Sequence, residues 1–191
     1  MKAGRLEAFT DGVVAIIITI AVLELPVPHG FDLAALRASA PILFAYVLSF
    51  INVGIYWNNH HHLLHATDRI DGSVLWANLF MLFWLSLAPW IIRWLDESDF
   101  AAMPTAAFGF VFGMAAIGYF WTQARIIAVN GRDSTVARAV GSDRKGKISL
   151  VLYATAIVAA FVSPWISDAL YVAVALMWLI PDRRLERAVR S

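Results

Sequence analysis

From Gly12 to Leu23 the only polar side chain is Thr19, and the run follows directly on Arg5, Glu7, Thr10 and Asp11. A helix of on the order of 20 apolar residues spans about 30 Å of hydrocarbon. Apolar runs suited to that task recur at about 8–26, 39–64, 74–95, 104–127, 148–163 and 165–181. They are bounded by "PVPHG" after the first, the acidic "DESDF" after the third and the polar "NGRDSTVARAVGSDRKGK" before the fifth. Pro164 separates the last two, and because the residue before a proline avoids the helical region it predicts a tight hairpin there. The runs are continuous rather than alternating over about ten residues, which excludes a membrane β-barrel. Composition agrees: 15% of residues are charged and 60% hydrophobic, against roughly 25% charged in a soluble domain. The expected fold is an all-α integral membrane protein, one domain of six transmembrane helices over residues 1–191.

Six spans put both termini on one side. Of the 15 Lys and Arg residues, all but Arg37 and Arg93 then fall on that side, and the positive-inside rule makes it cytoplasmic. The chain has no cysteine, so thiolate chemistry and disulfides are excluded. Its net charge of +1 is not gathered into a basic patch on a soluble face, which argues against nucleic acid as a partner. A G-x-S-x-G elbow, a Walker motif and a Gly-rich phosphate loop are all missing, so the chain is not expected to be an enzyme. Gly109, Gly113 and Gly118, like Ala154, Ala156, Ala159 and Ala160, suit close helix approach. Trp90, Trp94, Trp121 and Trp165 fall near span ends, where indole rings anchor at the interface.

The second run ends in "YWNNHHHLLH". On a helix His61 and His65 are i, i+4 neighbours, while Asn58, His62 and His65 fall near one face. Two imidazoles could share a metal ion, but zinc needs a third or fourth ligand that the sequence does not name. No metal site is therefore assigned; His61 and His65 are the candidates, and polar packing at the end of a span is the plainer reading.

At 100° per residue, Phe9, Ile16, Ile20 and Leu23 fall within roughly 40° of one line along the first helix, flanked by Gly12 and Thr19. Asp11 lies about 140° from Ile16 around the axis. If the Ile16 face looked into a pore, Asp11 would look into the bundle, where intramembrane charges find partners. Arg5 and Asp11 are candidates for such a network; a helix cap at Thr10 or Asp11 and a positive-inside Arg5 are the alternative.

Arg5-x-x-x-Phe9-Thr10-Asp11, followed by "GVVAIIITIAVLELPVP", resembles the R-x-x-x-F-S-D signature of the transmembrane protein 175 family, the endolysosomal potassium channel and its prokaryotic homologues. Thr10 stands where the family usually has Ser and keeps the hydroxyl. "YWNNHHHLLHATDRIDGSVLWANLFML" is similar to the family's W-x-x-H second helix, here Trp57 and His60, and to its Asn-bearing third helix, here Asn78. The resemblance covers the first half of the chain; the second half agrees in span count alone. It implies a homotetramer of six-helix subunits, with the first helix of each lining a central cation pore and no re-entrant filter. It maps the narrowest apolar ring to Ile16, further rings to Ile20 and Leu23, and a layer implicated in potassium preference to Thr19. Arg5, Phe9, Thr10, Asp11, Trp57, His60 and Asn78 would form the signature network that aims the stripe.

The expected function is thus a potassium-preferring channel gated by apolar rings, which block ions by dewetting. A hydroxyl ring offers few oxygen ligands, so the preference over sodium should be modest. Potassium is the permeant ion and no resident cofactor is expected; the partners are copies of the same chain and membrane lipid. The site of action is expected to be the plasma membrane. Glu24 near the outer mouth is a candidate for concentrating cations. No array of regularly spaced arginines suggests voltage gating. The competing reading is a proton-coupled or metal-ion transporter using the histidine cluster with Asp11 or Glu24; a non-conducting scaffold is the third.

Overall fold

The computed structural model describes residues 3–141 and 143–179. Lys2, the basic residues from Arg183 to Arg190 and the last two positions of the sixth expected run lie outside that range. Among the described residues the chain is helical throughout, without a strand: α1 (Gly4–Leu23), α2 (Leu33–Ala38), α3 (Ala40–His65), α4 (Gly72–Leu85), α5 (Ala88–Glu97), α6 (Ala102–Asn130), α7 (Thr135–Val140), α8 (Arg144–Ala159) and α9 (Pro164–Leu179).

Among the described residues four helical segments are long and apolar enough to cross a membrane: α1, α3, the α4–α5 pair and α6. The α8 and α9 helices have 16 described residues each, about 24 Å at 1.5 Å per residue; α9 is apolar along its length, whereas α8 opens on Arg144, Lys145 and Lys147. Proline and capping residues explain the boundaries. Pro26 and Pro28 follow α1 and remove backbone donors. Pro164 opens α9, where its missing N–H costs nothing. The third expected run is divided at Ser86–Leu87, because Pro89 cannot donate to Leu85 and its ring would crowd that carbonyl. Ser86 Oγ donates to Phe83 O at 2.7 Å across the break. Helix α6 ends at Gly131, whose φ of 94° suits glycine at this position. The linker before α8 contains α7, capped by Ser134 Oγ accepting from Ala137 N.

The bundle packs most extensively between α4 and α6; α6 also packs on α8, α5, α9 and α3, and α4 on α1. Leu85, Ile91, Ile92 and Phe112 sit in its main apolar core. A second cluster, including Leu6, Leu63, Val74 and Ile126, closes the end at which α1 begins. At that end Asn130 brackets Arg69: its Oδ1 accepts from Arg69 N at 3.0 Å and its Nδ2 donates to Arg69 O at 2.8 Å. Asp71 caps α4, and hydrogen bonds from the Ser73 hydroxyl and the Val74 backbone hold its carboxyl below the usual carboxylate range.

Gly118 sets the separation of α4 and α6. A Cβ there would lie 2.7 Å from Met81 Cα and 2.9 Å from Met81 N, main-chain atoms that no rotamer change can move. Gly118→Ala is therefore expected to lower stability by about 1–2 kcal/mol through overpacking, read by thermal unfolding in detergent. A stability equal to wild type would show that the two helices separate without loss.

Candidate functional site

The two faces of α1 differ sharply. Leu6, Thr10, Val14, Ile17 and Ala21, spaced three and four apart, are buried against α3, α4 and α5. A second line, centred about 110° around the helix from the first, carries Phe9, Ile16, Ile20 and Leu23, exposed by 51, 57, 42 and 78%. A helix of this composition can bury only one stripe in its own chain, and it has chosen the one bearing Thr10.

Polar contacts fix that choice. Thr10 and Asn78 are completely buried, and Asn78 Nδ2 on α4 donates to Thr10 Oγ1 at 3.0 Å. One residue on, about 100° around the helix, Asp11 Oδ1 accepts from Trp57 Nε1 on α3 at 2.8 Å. His60 lies beside Asn78 and within electrostatic reach of Asp11. Its Nε2 and Asn78 Oδ1 complete no hydrogen bond in this arrangement, so a small rotation of ring or amide would make each the partner of the other. These contacts join α1 to two neighbours at one level, inside protein where polar groups must find each other.

Arg5 is not brought into this group. Its side chain is exposed and forms no hydrogen bond or ion pair among the described residues. Eleven residues before Ile16, it lies only about 20° from that residue around the axis, on the exposed face. Phe9 is likewise exposed and outside the network.

Thr19 is exposed beside the apolar line, and its hydroxyl proton is shared between Ala15 O and Ile16 O, both at 3.0 Å. With the proton turned back onto its own helix, the oxygen lone pairs are the outward-facing feature. Ile16 and Ile20 also form one wall of an open groove with Pro89 and Trp90 of α5. Glu24, at the end of that groove, lies 3.8 Å from Arg93, which also pairs with Glu97 at 2.8 Å. Arg93 thus stands between two carboxylates, and the three side chains together keep a net negative charge.

The histidines separate into distinct environments. His60 is buried in the network, and His62 is half-buried. The His61 and His65 rings lie 4.1 Å apart, and both turn Nδ1 toward Glu7 Oε1, at 2.8 and 3.3 Å. Sequence reasoning missed Glu7 as their partner. The signal was present only in retrospect: a carboxylate in the first turn of a span that begins on the same side as the histidine run ends.

Comparison with known proteins gives a consistent result. Residues 5–89 match the family described as endosomal/lysosomal potassium channel TMEM175. A potassium channel of Chryseobacterium sp. (strain P1-3) is 48% identical over 191 residues, covering the whole of both chains. The human endosomal/lysosomal proton channel TMEM175 is 32% identical over 112 residues, 52% of this chain and 22% of that one. The crystal structure of a lysosomal potassium-selective TMEM175 homolog from Chamaesiphon minutus superposes with a TM-score of 0.79 at 25% identity, covering 94% of this chain and 97% of the other.

Proposed function

Because the chain belongs to the TMEM175 family, a family of ion channels and not of enzymes, we propose that it is a potassium-preferring cation channel: a homotetramer of six-span subunits in which α1 of each copy lines a central pore. Four long apolar helices make it a multi-pass membrane protein; the proposal adds α8 and α9 as spans, both termini in the cytoplasm, and the plasma membrane as its place. The observation that carries the reading is the division of α1, pinned through Thr10 and Asp11 on one face while Ile16, Ile20 and Leu23 stay uncovered on the other.

Four copies bringing these stripes together would stack apolar rings, with Ile20 about 6 Å and Leu23 about 10 Å along the axis from Ile16. When the rings are close the constriction dewets and ions cannot shed their hydration shells; when they widen, water and cations pass. Arg5, exposed on the same line, would find its partner on a neighbouring copy. Thr19 supplies the oxygen ligands, one per chain, which supports a modest preference.

The test is ion flux into liposomes holding the purified protein. Potassium is expected to enter roughly three- to tenfold faster than sodium, a difference of about 1 kcal/mol. Thr19→Val should bring that ratio near unity while conduction persists. Equal rates for the two ions in wild type would sink the selectivity assignment. The human relative is named a proton channel, so proton flux belongs in the same assay as a second reading. Saturable flux at fixed stoichiometry would instead favour the transporter reading built on the histidines with Asp11 or Glu24.

A further inference from the structure

The channel reading makes no use of Glu7, His61 and His65, although they form the tightest group of ligand-type side chains among the described residues. One atom from each lies within 4.8 Å of the other two. The ring nitrogens approach the same carboxylate oxygen, His61 Nδ1 at 2.8 Å and His65 Nδ1 at 3.3 Å. Zinc bonds of about 2.0–2.1 Å at a tetrahedral angle place neighbouring ligand atoms about 3.3 Å apart. The group therefore needs little rearrangement to surround an ion.

We propose that Glu7, His61 and His65 form a binding site for a divalent transition-metal ion, with Zn²⁺ the best match, at the end of the bundle where α1 begins. Two imidazoles and a carboxylate are a sufficient zinc set when the fourth position is left to water. Nitrogen donors disfavour Ca²⁺ and Mg²⁺, which take oxygen ligands. The side chains are accessible from solvent, at 37% for His61, 46% for His65 and 21% for Glu7, so an ion can enter and a water can complete its shell. His65 Nδ1 also approaches His61 O at 3.1 Å. Binding would give up that hydrogen bond and move the ring proton to Nε2, the ordinary arrangement of a metal-ligating histidine.

Glu7 lies on α1 and both histidines on α3. Nine residues before Ile16, Glu7 projects about 180° away from it. An ion here would fasten the first turn of α1 to α3 on the side away from the apolar stripe, without entering the proposed pore. The inference does not depend on the channel reading, and its test involves no flux.

Full-length protein carrying a histidine-free tag would be stripped with chelator, reconstituted in nanodiscs and dialysed against micromolar Zn²⁺. Bound metal would be counted by elemental analysis, and Co²⁺ substitution would report tetrahedral geometry through its visible absorption. One ion per chain is expected in wild type. Glu7→Gln and His65→Gln should each weaken binding by at least the 10- to 100-fold that losing an outer-shell partner already causes. His62→Gln, which alters a neighbouring histidine outside the triad, should leave it intact. Wild type without bound metal at micromolar Zn²⁺ would overturn the proposal. So would zinc retained by both triad variants, or lost equally in His62→Gln. Unchanged size-exclusion profiles establish that the partly exposed substitutions leave the fold in place.

Discussion

Replacing Ile16 with asparagine is expected to raise potassium flux into liposomes by at least about tenfold, the effect of lowering the permeation barrier by about 1.4 kcal/mol. Ile16 is more than half exposed within its own chain, so an amide there displaces little intrachain packing and thermal stability should barely change. In the proposed pore the same amide stands where the path is narrowest. It holds water at a constriction that otherwise expels it, and the barrier to a hydrated ion falls. Sodium flux should rise with potassium flux, reducing the preference set by Thr19. Ile17→Asn provides the contrast, since Ile17 lies about 100° further round α1 and is buried in the bundle. Burying an amide without partners costs roughly 1–3 kcal/mol by protein mutational data, so that variant should lose stability without gaining conduction. If Ile16 instead faces lipid, flux will be indifferent to Ile16→Asn, and the pore must be sought away from α1.

Periodicity alone was enough to place Phe9, Ile16, Ile20 and Leu23 on one line of α1, and all four are exposed. It could do so because a helix fixes the angle between residues regardless of what surrounds it. The extent of the long helices was legible for a related reason: runs of apolar residues and the prolines that end them act locally. What the sequence could not show depends on how separate helices meet. Glu7 reaches His61 and His65 only because α1 crosses α3 at that level, more than fifty residues away along the chain. Charge makes both Arg5 and Asp11 candidates for one polar network inside the bundle, yet the two lie about 120° apart around the helix (six residues at 100°). Asp11 faces Trp57 while Arg5 faces outward. The break at Ser86 carried its own marker in Pro89, but an uninterrupted apolar composition masked it.

Loss of the Asn78 side chain should disturb both stability and ion preference, because one amide connects the packing of α4 to the orientation of α1. Asn78→Ala removes the donor to Thr10 Oγ1 and deprives the buried His60 ring of its natural partner. Interhelical hydrogen bonds inside membranes average well under 2 kcal/mol, since the unfolded chain in lipid finds partners too. Adding the void left at a fully buried position gives an expected loss of about 2–3 kcal/mol, measured by thermal or chemical unfolding. Thr10→Val removes the acceptor and keeps the volume, so about 1 kcal/mol is expected. The double variant should lose less than the sum of the two, as residues sharing one contact do. Strict additivity would mean that the bond contributes nothing. The functional consequence separates two ways of aiming α1. If the hydrogen bond sets the rotation of the helix, Asn78→Ala will leak sodium as well as potassium, because the Ile16 line no longer points along one axis. If the ion ratio survives while stability falls, the aim is set by the apolar contacts of Val14, Ile17 and Ala21, and the polar network serves only to hold α1 against its neighbours.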